Sequence, residues 1–239
     1  MPFLSIIIPA YNEEDRLPNT LEQAFSFIQD QSYSAEVLVV ENGSRDRTFE
    51  VAQSFTGQYS SLRVFQEAGR GKGLAVKRGM LEAYGEYRFM CDADLSMPIT
   101  EISRFLPPAL DNKDIVIASR EAPGAIRYNE PHYRHWGGRV VNIMIRLLVL
   151  PGLQDTQCGF KCFRHEAAAD LFGSMTLAGL SFDVEILYLA RLRGWGITEV
   201  PIPWYYDPES KVRPLQDSFK MFRDILQVRR NQRNGLYAR

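Results

Sequence analysis

Asp92 and Asp94 close a short apolar run, Tyr87–Cys91, and only an alanine separates them. In a strand, alternation would point both carboxylates to the same side. Two acids so placed repel unless a cation joins them. Hard oxygen ligands of this kind suit Mg2+ or Mn2+, commonly shared with substrate phosphates. Two acids capping a loop are the plainer reading of the same triplet. Gly71-Lys72-Gly73, preceded by Gly69 and Arg70, follows the run Leu62–Phe65 and opens a helical period. Glycines let a backbone approach closely, and a helix N-terminus beside a lysine suits a phosphate. The spacing is not that of a P-loop. Nor is it a dinucleotide fingerprint, because Pro9-Ala10-Tyr11-Asn12-Glu13 follows the first strand where glycines would be needed. A plain turn remains the competing reading. Arg120 ends another apolar run, and Arg134 and Arg139 open the helical stretch after it. Guanidinium groups bond phosphate oxygens in parallel pairs, so this cluster points to a phosphate.

The elements that must position these residues alternate. Leu4–Ile8, Val37–Val40, Leu62–Phe65, Tyr87–Cys91 and Ile115–Ala118 read as strands, with helices near Leu17–Ile28, Thr48–Phe55, Leu74–Tyr84 and Ile102–Leu110. Strict alternation implies an α/β fold with a doubly wound, mostly parallel sheet. Ligands of such sheets bind beyond the carboxyl ends of the strands. Those ends are Pro9–Glu13, Glu41–Asp46, Gly69–Gly73, Cys91–Leu95 and Ser119–Arg120, all polar or rich in glycine. After Arg120 the pattern changes to a loop (Ala122–Pro131) and a helix from about Tyr133 to Leu150. A strand at Cys158–Phe163, helices at Glu166–Phe172 and Phe182–Arg193, a strand at Thr198–Pro203 and a helix from about Leu215 follow.

The chain has 239 residues with a net charge of -1, and no global field recruits nucleic acid. From Lys211 onward, however, eight Lys or Arg face two acids. An anionic membrane surface is one partner for such a segment, and a solvated helix face is the plainer one. Leu215, Phe219, Phe222 and Leu226 form an apolar stripe on it. Arg139, Asn142 and Arg146 extend a polar line from His135 along the otherwise apolar 133–150 helix, which suits a buried or an interfacial position. No run reaches the roughly 20 apolar residues of a membrane span. The three cysteines, an odd count with no secretory signal in view, read as packed thiols in a reducing, cytoplasmic compartment. The histidines form no triad. Asp183 and Glu185 face different ways on their helix, one expected toward the acceptor side and one structural. Trp195 and Trp204 read as packing residues.

Several segments, in order and spacing, carry a resemblance to a known family. Ile6-Ile7-Ile8-Pro9-Ala10-Tyr11-Asn12-Glu13, Glu41-Asn42-Gly43-Ser44, Gly71-Lys72-Gly73 and Asp92-Ala93-Asp94 resemble family 2 glycosyltransferases. Asp155-Thr156-Gln157-Cys158-Gly159-Phe160-Lys161, Phe182-Asp183-Val184-Glu185 and Ser210-Lys211-Val212 look like the dolichyl-phosphate β-glucosyltransferase branch, kin of the dolichol-phosphate mannose synthases. The resemblance implies a GT-A type, Rossmann-like single domain over 1–210. Residues 1–120 would be the nucleotide-sugar half and 121–210 the acceptor half, with the 133–150 helix at the membrane interface, followed by a basic amphipathic segment at 211–239.

It also implies roles. Pro9, Tyr11 and Glu13 would hold the nucleobase and ribose. Glu41 stands where an Asp usually contacts the base, and Asn42 replaces a second common Asp. Asp92 would meet the ribose or the metal, and Asp94 would ligate the metal. Lys72 and Lys211, the latter after Ser210 in a closing loop, would face the phosphates. On their own chemistry, apart from the resemblance, Arg120 and Arg134 would hold the acceptor phosphate, and Asp155, which opens a matched segment, is the best candidate if a base is required. The implied reaction moves glucose, with inversion, from UDP-glucose to a polyprenyl or dolichyl phosphate at the cytoplasmic face of a membrane, without a general base. GDP-mannose is the alternative donor. Sugar-nucleotide nucleotidyltransfer and a non-catalytic lipid-binding scaffold are the alternatives of other classes.

Overall fold

The computed structural model describes residues 1–131, 142, 145, 146, 149–208 and 214–238. Seven strands form the main sheet: β1 (Leu4–Ala10), β2 (Ala35–Glu41), β3 (Leu62–Gln66), β4 (Tyr87–Cys91), β5 (Ile115–Ser119), β7 (Phe160–Arg164) and β8 (Ile197–Pro201). Their spatial order is β3-β2-β1-β4-β7-β5-β8. Every pairing is parallel except those of β7, which runs antiparallel between β4 and β5. Runs such as Ile6-Ile7-Ile8 and Val37-Leu38-Val39-Val40 are buried throughout because helices cover both faces of the sheet.

One face packs against α1 (Leu17–Gln29), where Leu17, Leu21, Ala24 and Phe25 meet Ile6, Ile8, Val37 and Phe89. The rings of Phe89, Phe105 and Phe160 meet edge to face there, at 4.5–5.4 Å. The other face is covered by α3 (Lys72–Glu82), α4 (His165–Ser174), α5 (Phe182–Leu192) and α6 (Pro214–Arg233). A short α2 (Thr48–Ser54) lies between β2 and β3.

Two expectations change. The helix read at Ile102–Leu110 is a 3-10 segment, Ile99–Phe105, that stops before Pro107-Pro108. Proline lacks the N–H a helix needs and disfavours helical geometry in the residue before it. The loop Ala122–Pro131 contains a strand, β6 (Ile126–Tyr128), paired in parallel with β9 (Pro203–Tyr205). Three-residue strands leave too little alternation to read in advance.

Much of the expected Tyr133–Leu150 helix lies outside the described residues. Its described end is packed inside: Ile145, Val149 and Leu150 are buried, and the Asn142 amide donates to the Gln154 carbonyl. On α6 the core-facing stripe is Met221, Ile225 and Val228, while Phe222 and Leu226 face solvent. Among the described side chains of this helix, Phe222 and Leu226 are apolar positions that the core does not use.

Candidate active site

β1, β2 and β4 are parallel neighbours, so Pro9–Glu13, Glu41–Asp46 and Asp92–Ser96 emerge along one edge of the sheet. Because β7 is antiparallel, it enters the sheet at that same edge: Phe160 pairs with Cys91. Gly159 is thereby brought against Asp92. A Cβ on Gly159 would fall 1.9 Å from the Asp92 carboxylate, so any larger residue there would displace that carboxylate.

The Asp92-Ala93-Asp94 turn is held from both sides. Thr20 Oγ1 donates to the Ala93 carbonyl at 2.6 Å, and the Ser96 N–H donates to Asp94 Oδ1 at 2.9 Å. Lys72 Nζ lies 2.5 Å from Asp92 Oδ1. Burial pushes the Asp94 carboxyl up, and the like charge of Asp92 adds to it. For Lys72, burial disfavours the ammonium, but Asp92, Asp183 and Asp94 outweigh it and the net shift is upward. The lysine is a cation held among three acids. The site has a surplus of negative charge, and its donors are hard oxygens. Among the described residues no third His, Cys, Asp or Glu completes a metal cluster. That donor set fits Mg2+ or Mn2+, which takes remaining ligands from phosphate and water.

The glycines beside Lys72 are explained by protein backbone. A Cβ at Gly71 would fall 2.1 Å from the Ala178 carbonyl oxygen, and one at Gly73 2.6 Å from that of Leu177. Glu185 fixes this approaching segment by accepting from the Thr176 and Leu177 N–H groups, and it also accepts from Tyr237 Oη. Glu185 is the structural member of its pair. Asp183 turns the other way, to a buried ion pair with Lys161 at 2.6 Å. Lys161 Nζ also donates to the Cys158 carbonyl at 2.5 Å. Sequence reasoning missed Lys161. The available signal was a lone charge inside the apolar strand Phe160-Lys161-Cys162-Phe163, which a buried strand tolerates only with a partner.

Asp155 and Arg120 meet each other. Arg120 Nε and Nη2 bond the two Asp155 oxygens at 2.6 and 3.0 Å, while the N–H groups of Arg120 and Gln157 add 3.0 and 3.1 Å contacts. Burial alone would raise the Asp155 carboxyl, but Arg120 and these N–H donors hold it far below the usual range. Two of the donors expected to bind phosphate are therefore engaged by a carboxylate. Trp204 lies under both Arg120 and Arg127, with guanidinium carbons 5.6 and 5.7 Å from the ring.

The remaining expected residues divide. Pro9 is buried in β1, Glu41 is buried and accepts from the Ser44 N–H, and Tyr11 is partly exposed. Glu13 pairs with Arg16, which also forms an ion pair with Asp207 at 2.9 Å. The first and second loops are tied together by Asn12 N–H to Ser44 Oγ and Glu13 N–H to Thr48 Oγ1. Arg134, Ser210 and Lys211 lie outside the described residues. All three cysteines are buried thiols, and burial pushes Cys158 up to about 12.

Comparison with known proteins agrees with this layout. The model of "Glycosyl transferase family 2" matches residues 5–172. A dolichyl-phosphate beta-glucosyltransferase of Dictyostelium discoideum is 33% identical over 95% of this chain and 74% of its own length. The Homo sapiens protein of the same name is 31% identical over 98% and 77%. Among solved structures, glucosyl-3-phosphoglycerate synthase of Mycobacterium tuberculosis, in complex with Mn2+, UDP-glucose and phosphoglyceric acid, superposes with a TM-score of 0.63. It is 19% identical, covering 95% of this chain and 78% of that one, and so shares the GT-A fold. The matched span runs from β1 into α4 and includes the whole Asp92–Lys72 edge, and the chain belongs to glycosyltransferase family 2.

Proposed function

We propose that this protein transfers glucose, with inversion, from UDP-glucose to a dolichyl or other polyprenyl phosphate at a membrane surface. The observation that carries the reading is the Asp155–Arg120 pair. A hydroxyl acceptor must lose a proton as it attacks, which needs a carboxylate or histidine of suitable strength. Asp155, which opens the acceptor-side segment, is held ionised and is a very weak base. A phosphate monoester needs no such help, because its second pKa is about 6. The names borne by the relatives support the same acceptor and sugar.

In this reading residues 1–120 bind the donor, with Pro9, Tyr11, Glu13 and Glu41 around the nucleoside. Residues 121–210 bind the acceptor, with Arg134 and the Arg120 region near its phosphate. Ser210 and Lys211 close over the donor, and 211–239 is the basic amphipathic segment. An acceptor phosphate oxygen bonds to the anomeric carbon as the bond to the diphosphate breaks, and UDP leaves with that electron pair. A divalent ion on Asp92 and Asp94, Mg2+ or Mn2+, would neutralise the departing diphosphate; the Mn2+ and UDP-glucose complex of the mycobacterial neighbour supports this choice. Lys72 adds a second positive charge, and in-line placement of the two substrates supplies much of the acceleration. With UDP-glucose and a short polyprenyl phosphate, the expected product is the glucosyl phospholipid, read by mass, with release of UDP. Turnover of GDP-mannose alone would overturn the choice of donor, and release of pyrophosphate would place the protein among nucleotidyltransferases.

Among the described residues no helix is long and apolar enough to cross a membrane. The outward arc of α6 instead joins exposed Phe222 and Leu226 to exposed Arg223, Arg230 and Arg233, the pattern of a helix lying on an anionic surface. Each basic residue near such a surface is worth about 1 kcal/mol. Charge reversal of Arg223, Arg230 and Arg233 should therefore abolish co-sedimentation with phosphatidylserine vesicles, and high salt should weaken the unaltered protein's binding. Deleting α6 is the wrong test, since Met221, Ile225 and Val228 belong to the core. Unchanged binding by the charge-reversed variant would exclude α6 as the attachment surface.

A further inference from the structure

The geometry points to a cation exchange at Asp92: Lys72 and the divalent ion compete for this carboxylate, and the nucleotide's diphosphate settles the competition by drawing Lys72 away. The inference rests on the metal reading above and concerns how that site is filled.

Three observations carry it. Lys72 Nζ sits 2.5 Å from Asp92 Oδ1, in direct contact with the donor a metal would use. A divalent ion of this kind binds oxygen at about 2.1 Å, so an ion on Asp92 and Asp94 with Lys72 still on Asp92 would set three positive charges against two carboxylates. Lys72 cannot withdraw through its backbone, because Gly71 and Gly73 are pressed against the Ala178 and Leu177 carbonyls. Asp92 has little room on its other side, where its Oδ2 lies against Gly159.

The lysine side chain has the greater freedom to move. Its stem is flexible, and its ammonium is a compact point charge with three rotatable donors. Asp183 already has its own counter-ion, Lys161 at 2.6 Å, so it is the weaker alternative partner for the ammonium. A diphosphate arriving at the sheet edge supplies the missing partner. It takes the ammonium and offers its own oxygens to the ion, so the two cations no longer share Asp92. Nucleotide and metal should then strengthen each other's binding by the same factor, as linkage requires, and Lys72 should be the origin of part of that coupling.

The test uses the full chain, Mn2+ and UDP, with neither sugar nor acceptor. Free Mn2+ is followed by its electron paramagnetic resonance signal. Without UDP, Lys72→Met should bind Mn2+ up to about fivefold more tightly than the unaltered protein, the scale of one partly exposed ion pair. The enhancement by UDP should shrink in the variant by a similar factor. Lys72→Arg, which keeps the charge, should retain weak Mn2+ binding without UDP. Lys72→Gln gives the same reading as Lys72→Met should the apolar end disturb folding. Equal or weaker Mn2+ binding by the uncharged variants would overturn the exchange while leaving the metal site standing. If the unaltered protein binds no Mn2+ even with UDP, the metal reading and the exchange fall together. The choice of glucose and of a lipid phosphate is untouched by either result.

Discussion

Asp94→Asn is expected to lower sugar transfer on the order of a thousandfold, because metal charge at a departing diphosphate is worth several kcal/mol. The fold should survive the change. The Asp94 carboxyl is raised by burial and by its neighbour Asp92, so its ionised form is a burden on the folded chain. An amide removes that charge and keeps an oxygen for the Ser96 N–H. The melting temperature should therefore hold or rise while turnover collapses. Excess EDTA should reproduce the loss in the unaltered protein. Full turnover in EDTA, or in the Asn variant, would remove the metal from the mechanism.

Asp155→Asn should have the opposite profile, a large loss of stability with no sign of a missing base. Asp155 is 2% exposed and accepts four hydrogen bonds, two from the Arg120 side chain. Removing one partner of a buried pair costs about 3–5 kcal/mol, since the other charge is left uncompensated. The pH dependence has a definite sign. The folded carboxyl lies below its unfolded value of about 3.9, so its stabilisation is complete above that pH and is lost as pH falls toward the folded value. Urea unfolding should show a constant gap between the two proteins from about pH 5 to 8. The gap should narrow only in stronger acid. Turnover per folded molecule should remain substantial and should not depend on high pH. A collapse of turnover that alkaline pH restores would make Asp155 a general base and would overturn the reading of an already ionised acceptor.

Much of this was legible in the sequence. Unbroken apolar runs such as Ile6-Ile7-Ile8 announce strands buried on both faces, and their alternation with helical periods predicts a mostly parallel sheet. The rule that ligands lie beyond the carboxyl ends singled out Asp92, Asp94 and the Lys72 turn, and the fold brings them together. The 3-10 segment at Ile99–Phe105 was legible too, had Pro107-Pro108 been allowed to end the helix. The short strands β6 and β9 were not, because their pairing is decided by partners about 75 residues apart in sequence.

The sequence by itself determined the class of fold, the strand ends that make the candidate site and the residue types available there, since each follows from local periodicity and charge. Which of those residues meet was decided only in three dimensions. The antiparallel insertion of β7 carries Gly159 to Asp92, and nothing local in residues 155–164 sets that direction. Arg120 and Asp155 each read as a site residue alone, yet they neutralise one another because β5 ends beside the segment leading into β7. The glycines around Lys72 suggested a phosphate, and the space beside them is filled by the Leu177 and Ala178 backbone. A side chain's charge and reach belong to the sequence. What stands within hydrogen-bonding distance of it depends on strand order and direction, and those are settled by long-range packing of the two cores.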